Sequence, residues 1–233
     1  MQQIDKFIFQ FKFPFIESNM YIILDKDTEN ALIIDPHYNG EADKIIEKAG
    51  IRKVTIVLTH EHFDHTSGIP WLSGHFNCRI LCHAHALEEK SQKRNNRPVL
   101  AYMLKGNQDN QSVIRDYFHT FEPYEYSADM VCMDRLEYAW NGHNIVMKHA
   151  PGHSPASVLI QVDEKYIFTG DSLIPDVPVI TRFPGGSQKL FQTITLPMLK
   201  SIKRDCIILP GHGEAVVFGM LSYEDGMFKV KEE

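Results

Sequence analysis

The chain has no Cys-x-x-Cys pair, and its four cysteines, Cys78, Cys82, Cys132 and Cys206, are scattered. That spacing offers no disulfide framework, and Cys78, Cys82 and Cys206 sit in or beside apolar runs where a free thiol is a small buried group. No run of eighteen apolar residues occurs, so no membrane-spanning helix is expected. Positive charge is not in excess: the net charge is −6, which argues against a nucleic-acid binder working through bulk electrostatics. The start, Met1 to Lys6, lacks a basic segment, an apolar core and a small-residue cleavage site, so no signal peptide is expected. With the cysteine usage, this points to a cytoplasmic location. Repeats, linkers and low-complexity stretches are also missing. Residues 1–233 therefore read as one domain, long enough for a substantial core.

What is present begins with alternation. Phe7 to Phe13, Met20 to Leu24 and Ala31 to Ile34 are predicted as three antiparallel strands, with Pro14 closing the first. Glu41 to Ala49 carries Ala42, Ile45, Ile46 and Ala49 at helical spacing, and Gly50 caps it. A buried strand follows at Val54 to Leu58, then a short helix entry at Thr66 to Leu72 and a strand at Arg79 to Cys82. The order strand–helix–strand implies sheets backed by helices. Between about 87 and 135 the character changes to polar, turn-rich sequence with dispersed aromatics, including Tyr102, Tyr117, Phe118, Phe121, Tyr124 and Tyr126. Its length predicts a helical insertion or lid, since plain loops of that size are uncommon. Strands return at Asn144 to Lys148, Val158 to Val162 and Tyr166 to Thr169, the last two forming a hairpin about Asp163–Lys165. A broadly helical stretch runs from Ser187 to Ile202, and Cys206 to Leu209 is predicted as the last buried strand.

The strand Val54–Leu58 runs into Thr59-His60-Glu61-His62-Phe63-Asp64-His65-Thr66. Three histidines and two carboxylates at the end of a buried strand have no packing rationale, whereas imidazole and carboxylate are the ligands of zinc and similar metals. The missing ligands follow in three turns, each placed just beyond a strand: Pro151-Gly152-His153, Thr169-Gly170-Asp171 and Pro210-Gly211-His212. Glycine lets the backbone turn so that the next side chain points back across the strand ends.

These residues resemble the metallo-β-lactamase superfamily. The His-x-His-x-Asp-His cluster (His60, His62, Asp64, His65) with His153, Asp171 and His212 carries the likeness. The phrases Pro-Gly-His-Ser-Pro-Ala-Ser, Thr-Gly-Asp-Ser-Leu and Leu-Pro-Gly-His-Gly are similar to the glyoxalase II-like (hydroxyacylglutathione hydrolase-like) branch. The resemblance implies an α+β class fold, a four-layer αββα sandwich, with the site at the strand ends between two sheets. It implies two Zn2+ ions, with iron or manganese as substitutes. His60, His62 and His153 would hold one ion, Asp64, His65 and His212 the other, and Asp171 would bridge. The chemistry it implies is hydrolysis of a small thioester or ester by a hydroxide shared between the ions, with Asp64 as catalytic orienting group. His at position 62 departs from the di-iron flavoprotein branch, and Asp at position 171 from the commonest β-lactamase pattern.

Lactones and phosphodiesters suit the same site, and a mononuclear iron dioxygenase of the persulfide type, using His60, His153 and Asp171, is the alternative from another class. The expected partner is a small-molecule substrate, with no nucleic acid and no membrane; the oligomeric state is left open. Of the remaining histidines, His85 is a candidate for substrate contact, His149 a strand residue, and His37, His75, His119 and His143 solvated or core-satisfied. Asp35 is placed to hydrogen-bond a ligand imidazole. Arg182, in Thr181 to Ser187, is either a substrate-carboxylate contact or part of a helix-entry turn with Ser187 as N-cap.

Overall fold

A computed structural model describes residues 1–13, 16–25, 27–96 and 121–231. The strands gather into two large sheets. The first runs in spatial order β1 (Gln2–Asp5), β2 (Ile8–Lys12), β3 (Asn19–Asp25), β4 (Asn30–Ile34), β5 (Lys53–Val57), β6 (Asn77–His83) and β7 (Met130–Cys132). Its first three pairings are antiparallel and its last three parallel. The second is ordered β13 (Val216–Val217), β12 (Ile207–Pro210), β11 (Tyr166–Gly170), β10 (Val158–Val162), β9 (His143–His149) and β8 (Arg135–Trp140), with only β11 and β12 parallel. A hairpin of β14 (Leu221–Glu224) and β15 (Met227–Val230) ends the chain.

Continuous apolar runs make sense once both faces of a sheet are covered. Within β3 and β4, Tyr21, Ile23, Leu32 and Ile34 point between the two sheets, where they meet Ile145, Met147, Ile160 and Phe168. Their neighbours Ile22, Ala31 and Ile33 point outward onto Ala42 and Ile46 of α1 (Gly40–Lys48) and Leu72 of α3 (Ile69–His75). Ile167 and Ile208 of the second sheet cover Phe191 and Leu199 of the helical stretch 188–200, and Leu221 and Phe228 of the terminal hairpin. The layers are therefore helix, sheet, sheet, helix, the αββα sandwich that was expected. Among the described residues no helix is long and apolar enough to cross a membrane.

Three details depart from expectation. A short edge strand, β1, precedes the first expected one, and three more-exposed strands follow Ile207–Pro210, which remains the last buried one. The helical stretch 188–200 opens a π turn at Phe191–Thr195, just before Pro197, whose ring cannot sit in an uninterrupted helix. In the expected 87–135 insertion, α4 (Glu89–Asn95) is helical, but Met130–Cys132 is a strand of the first sheet. Gln92 closes the base of that segment, its Nε2 donating to Tyr126 O at 2.6 Å and its Oε1 accepting from Tyr126 N at 3.2 Å. The lid expectation for Tyr102, Tyr117 and Phe118, and the position of His119, lie outside the described residues.

His37 is core-satisfied: fully buried, its Nε2 donates to Phe11 O at 3.2 Å, and its ring lies 5.0 Å from that of Phe13. Burial pushes its imidazole down to about 4. Folding therefore favours the neutral form, while the unfolded chain takes up a proton below about 6.5. Stability should fall as pH drops from about 6.5 to about 4, by about 3 kcal/mol from this residue. In chelator, His37→Gln is expected to flatten that limb of the urea-unfolding curve by this amount. Parallel curves for parent and variant would refute it.

Candidate metal centre

The two sheets meet at one end through backbone hydrogen bonds: Val158 N donates to Thr59 O at 2.8 Å, and Asn19 N to Gly211 O at 2.7 Å. Every polar turn singled out in the sequence opens at this end. Thr59 to His62 leave β5 buried, and α2 (Phe63–Thr66) starts immediately after, presenting the adjacent Asp64 and His65. Parallel pairing of β11 with β12 sets the Asp171 and His212 turns side by side, joined by Gly211 N donating to Gly170 O at 2.8 Å. Both glycines are obligatory. A Cβ on Gly170 would lie 2.4 Å from Thr59 Oγ1, and one on Gly211 would lie 2.2 Å from Asp171 Oδ1.

All seven candidate residues converge. His60 Nε2 lies 3.1 Å from His62 Nδ1, which lies 3.0 Å from His153 Nε2. Asp64 Oδ2 is 3.3 Å from His65 Nε2 and 3.4 Å from His212 Nε2. Asp171 spans the two groups: its Oδ2 is 3.5 Å from His153 Nε2, and its Oδ1 is 3.6 Å from both His65 Nε2 and His212 Nε2. Metal–ligand bonds of roughly 2.0–2.1 Å at tetrahedral angles put neighbouring ligand atoms about 3.3 Å apart. The observed separations bracket that value.

Hydrogen bonds on the far side orient the rings. His153 Nδ1 donates to Ile180 O at 2.8 Å, which leaves Nε2 as the lone pair facing inward. His65 Nδ1 faces Asp35 Oδ2 at 2.9 Å, so its Nε2 also faces inward. Asp35 is the hub of this support, its two oxygens also accepting from Thr59 N at 2.7 Å and Thr59 Oγ1 at 2.5 Å. Asp35, His60 and His65 also lie close enough to form a third potential ligand group, but the Asp35 oxygens are already committed to these hydrogen bonds.

The electrostatics ask for cations. Burial, then His153, pushes His62 down to about 3, and burial with three neighbouring imidazoles lowers His60 well below its usual range. Burial alone would lower His65 as well, but the Asp64 and Asp35 carboxylates raise it well above the usual range. His212 is raised, against its burial, by Asp171 and Asp64. A proton there occupies the place of a larger positive charge. His65 Nε2 and Asp171 Oδ1 are buried yet have no hydrogen-bond partner, so the groups a metal would complete are the ones left incomplete.

The sequence profile of the metallo-beta-lactamase superfamily matches residues 14–212. The chain belongs to this superfamily. Its members are mostly metal-dependent hydrolases. Hydroxyacylglutathione hydrolase GloC of Haemophilus influenzae is 28% identical over 214 residues, covering 87% of this chain and 89% of its own. The crystal structure of TTHA1623 in a di-iron-bound form superposes with a TM-score of 0.69 at 21% identity, covering 91% and 95% of the two chains. That of the B3 metallo-beta-lactamase BLEG-1 does so with 0.66 at 24%, covering 91% and 94%.

Set on this superfamily fold, the other sequence candidates separate. His85 is half-exposed, paired with Glu88 at 2.5 Å, and its ring lies 5.1 Å from that of His83, outside both ligand groups. Arg182 is exposed, and Ser187 is the N-cap, accepting from Leu190 N at 3.2 Å. The neighbour of Arg182, Phe183, is the residue at the site, with its ring edge-on to His62 at 5.9 Å and to His153 at 6.0 Å. Residues beneath His212 were also missed. Asn19 Nδ2 donates to Pro210 O and Gly213 O, both at 2.9 Å, Tyr21 Oη to Pro210 O at 2.8 Å, and Gln10 Nε2 to Gly213 O at 3.0 Å. Only polar positions inside otherwise apolar strands hinted at them.

Proposed function

We propose that the protein is a two-metal hydrolase of a small thioester or ester, with zinc as the first candidate metal. The observation that carries this is the convergence of seven side chains into two linked groups whose inward atoms, His65 Nε2 and Asp171 Oδ1, are buried without a hydrogen-bond partner. His60, His62 and His153 would hold one ion, Asp64, His65 and His212 the second, and Asp171 would serve both. Such a pair supplies an activated water near neutral pH and Lewis acidity toward a carbonyl oxygen. The chain supplies the rest. Asp64 presents its carboxylate between His65 and His212 as the orienting group. Phe183 covers His62 and His153 with an apolar edge that excludes bulk water on that side.

The thioester preference rests on the likeness to GloC across nearly the whole chain. A single-iron oxygenase would leave Asp64, His65 and His212 without a task, which favours the two-metal reading. The test is metal analysis beside a panel of thioester, lactone and phosphodiester substrates. Two divalent ions per chain and thioester cleavage are expected. One iron per chain with oxygen uptake, or inertness of the two-metal protein toward the whole panel, would overturn the proposal.

Asp35→Asn checks the support of the second ion. Asparagine keeps one accepting oxygen and tolerates the left-handed backbone of this position (φ 54°), but it places an amide N–H where Asp35 now receives donors. Zinc affinity should fall about ten- to a hundredfold in competition with a chromophoric chelator. An unchanged affinity would show that Asp35 does not orient His65.

A further inference from the structure

The helix that carries Asp64 and His65 cannot hold itself. α2 spans only Phe63–Thr66, and its N-cap, His62, makes no side-chain capping bond. A single turn is far shorter than a helix that is stable alone, so packing must impose its shape. Phe63 and Thr66, three residues apart, share one face, and the Asp64 and His65 side chains leave from the other. Both Phe63 and Thr66 are buried.

The cover on that face comes from the segment Phe121 to Tyr126, more than fifty residues further along the chain. The Phe121 ring stands edge-on to that of Phe63 at 4.9 Å. Tyr124 Oη lies 2.7 Å from Thr66 Oγ1. Thr66 gives its own hydroxyl hydrogen to His62 O at 3.2 Å, so Tyr124 is the donor of the pair. A relay therefore runs from Tyr124 through Thr66 to the carbonyl that opens α2. Tyr124 is itself fixed, because Asn96 Nδ2 donates to Tyr124 O at 2.6 Å and to Gln92 Oε1 at 2.7 Å. Both of these carboxamide side chains are buried.

We propose that Tyr124 is a positioning residue for the second metal position: through Thr66 it sets the rotation of α2, and with it how Asp64 and His65 meet His212. This rests on the reading of those three as metal ligands. The leverage is large. Side-chain ends lie roughly 5–6 Å from a helix axis, so a turn of about 10° moves them about 1 Å. Metal–ligand distances tolerate only about 0.2 Å. The group of His60, His62 and His153 has no member inside α2, and Thr66 keeps its bond to His62 O without Tyr124. The effect should therefore fall on one position and spare the other.

Tyr124→Phe keeps the ring and removes the donor. Thr66→Val removes both bonds of the relay, and Thr66→Ser keeps them. Zinc titration of the full-length protein against a chromophoric chelator reads the two steps, with His212→Ala marking the one that belongs to the second group. Thermal unfolding of the metal-stripped protein runs beside it. Tyr124→Phe should weaken the marked step about tenfold, the low end for groups just outside a ligand set, and leave the other within about twofold. Thr66→Ser should take up zinc like the parent. Adding Tyr124→Phe to Thr66→Val should bring no further loss, since the acceptor is already gone. Both zinc steps unchanged in Tyr124→Phe, even with a lower Tm, would overturn the proposal and leave Tyr124 a packing contact. Equal weakening of both steps, or additive losses in the double variant, would overturn it as well. All three failures leave the metal reading intact. A parent that takes up no zinc would overturn the metal reading itself, before any variant is made.

Discussion

Asp171→Asn is expected to lower hydrolysis on the order of a thousandfold, about 4 kcal/mol of transition-state stabilisation, and to reduce bound metal from two ions to about one. The substitution is nearly isosteric, so the argument turns on charge and lone pairs. Asp171 faces both ligand groups, through Oδ2 toward His153 and Oδ1 toward His65 and His212. An amide has one acceptor oxygen and would turn N–H donors toward one group. It also removes a negative charge from the site proposed to gather two cations. Stability of the metal-stripped protein should also fall, because Asp171 attracts the imidazoles of His212, His65 and His153 and holds His212, against its burial, above its usual range. Metal content by plasma emission, the hydrolysis rate and Tm in chelator form the check. Parent-like metal content together with a parent-like rate would remove Asp171 from the site.

Much of this was readable from the sequence because the chemistry sits where strands end. Val54–Leu58 announced a buried strand, the cluster Thr59–Thr66 announced its exit, and glycines marked the other three turns. Each ligand therefore lies within a few residues of a local signal. Asp35 was readable for the same reason, closing the strand beside β5. What was not readable depends on long-range contact. Asn19 and Gln10 hold the His212 turn across about two hundred residues of sequence, and nothing local distinguishes them from solvent-facing strand residues. Phe183 was overshadowed by Arg182, whose charge invites a functional reading although its side chain is exposed. Glu61 was counted among the polar crowd, but only burial and a hydrogen bond from Ser154 separate it from its metal-type neighbours. The terminal hairpin was missed because Leu221, Tyr223 and Phe228 alternate too briefly to stand out, and they form strands only by packing on the second sheet.

Stripping the metals is expected to have the largest effect on stability. A ligand bound only by the folded state at a thousand times its dissociation constant adds about 4 kcal/mol, so two sites add roughly 8 kcal/mol. For a chain of this size each kcal/mol shifts Tm by about 2–4 °C, so chelation should lower Tm by roughly 15 °C or more, reversibly on adding zinc. The two positions should also empty in order as pH falls. His60 and His62 are held unprotonated by burial, His62 down to about 3, so these two rings keep their lone pairs in mild acid. His65 and His212 are raised by the carboxylates around them, so protons compete directly with metal at the second group. Each proton displaced makes metal affinity fall about tenfold per pH unit below the ligand's pKa. The ion at Asp64, His65 and His212 should therefore leave first, with about one equivalent retained, while the rate collapses ahead of Tm. Metal content and unfolding followed together from pH 7 to pH 5 decide the matter. Simultaneous loss of both ions, or loss from the three-histidine group first, would show that the carboxylates do not set the order.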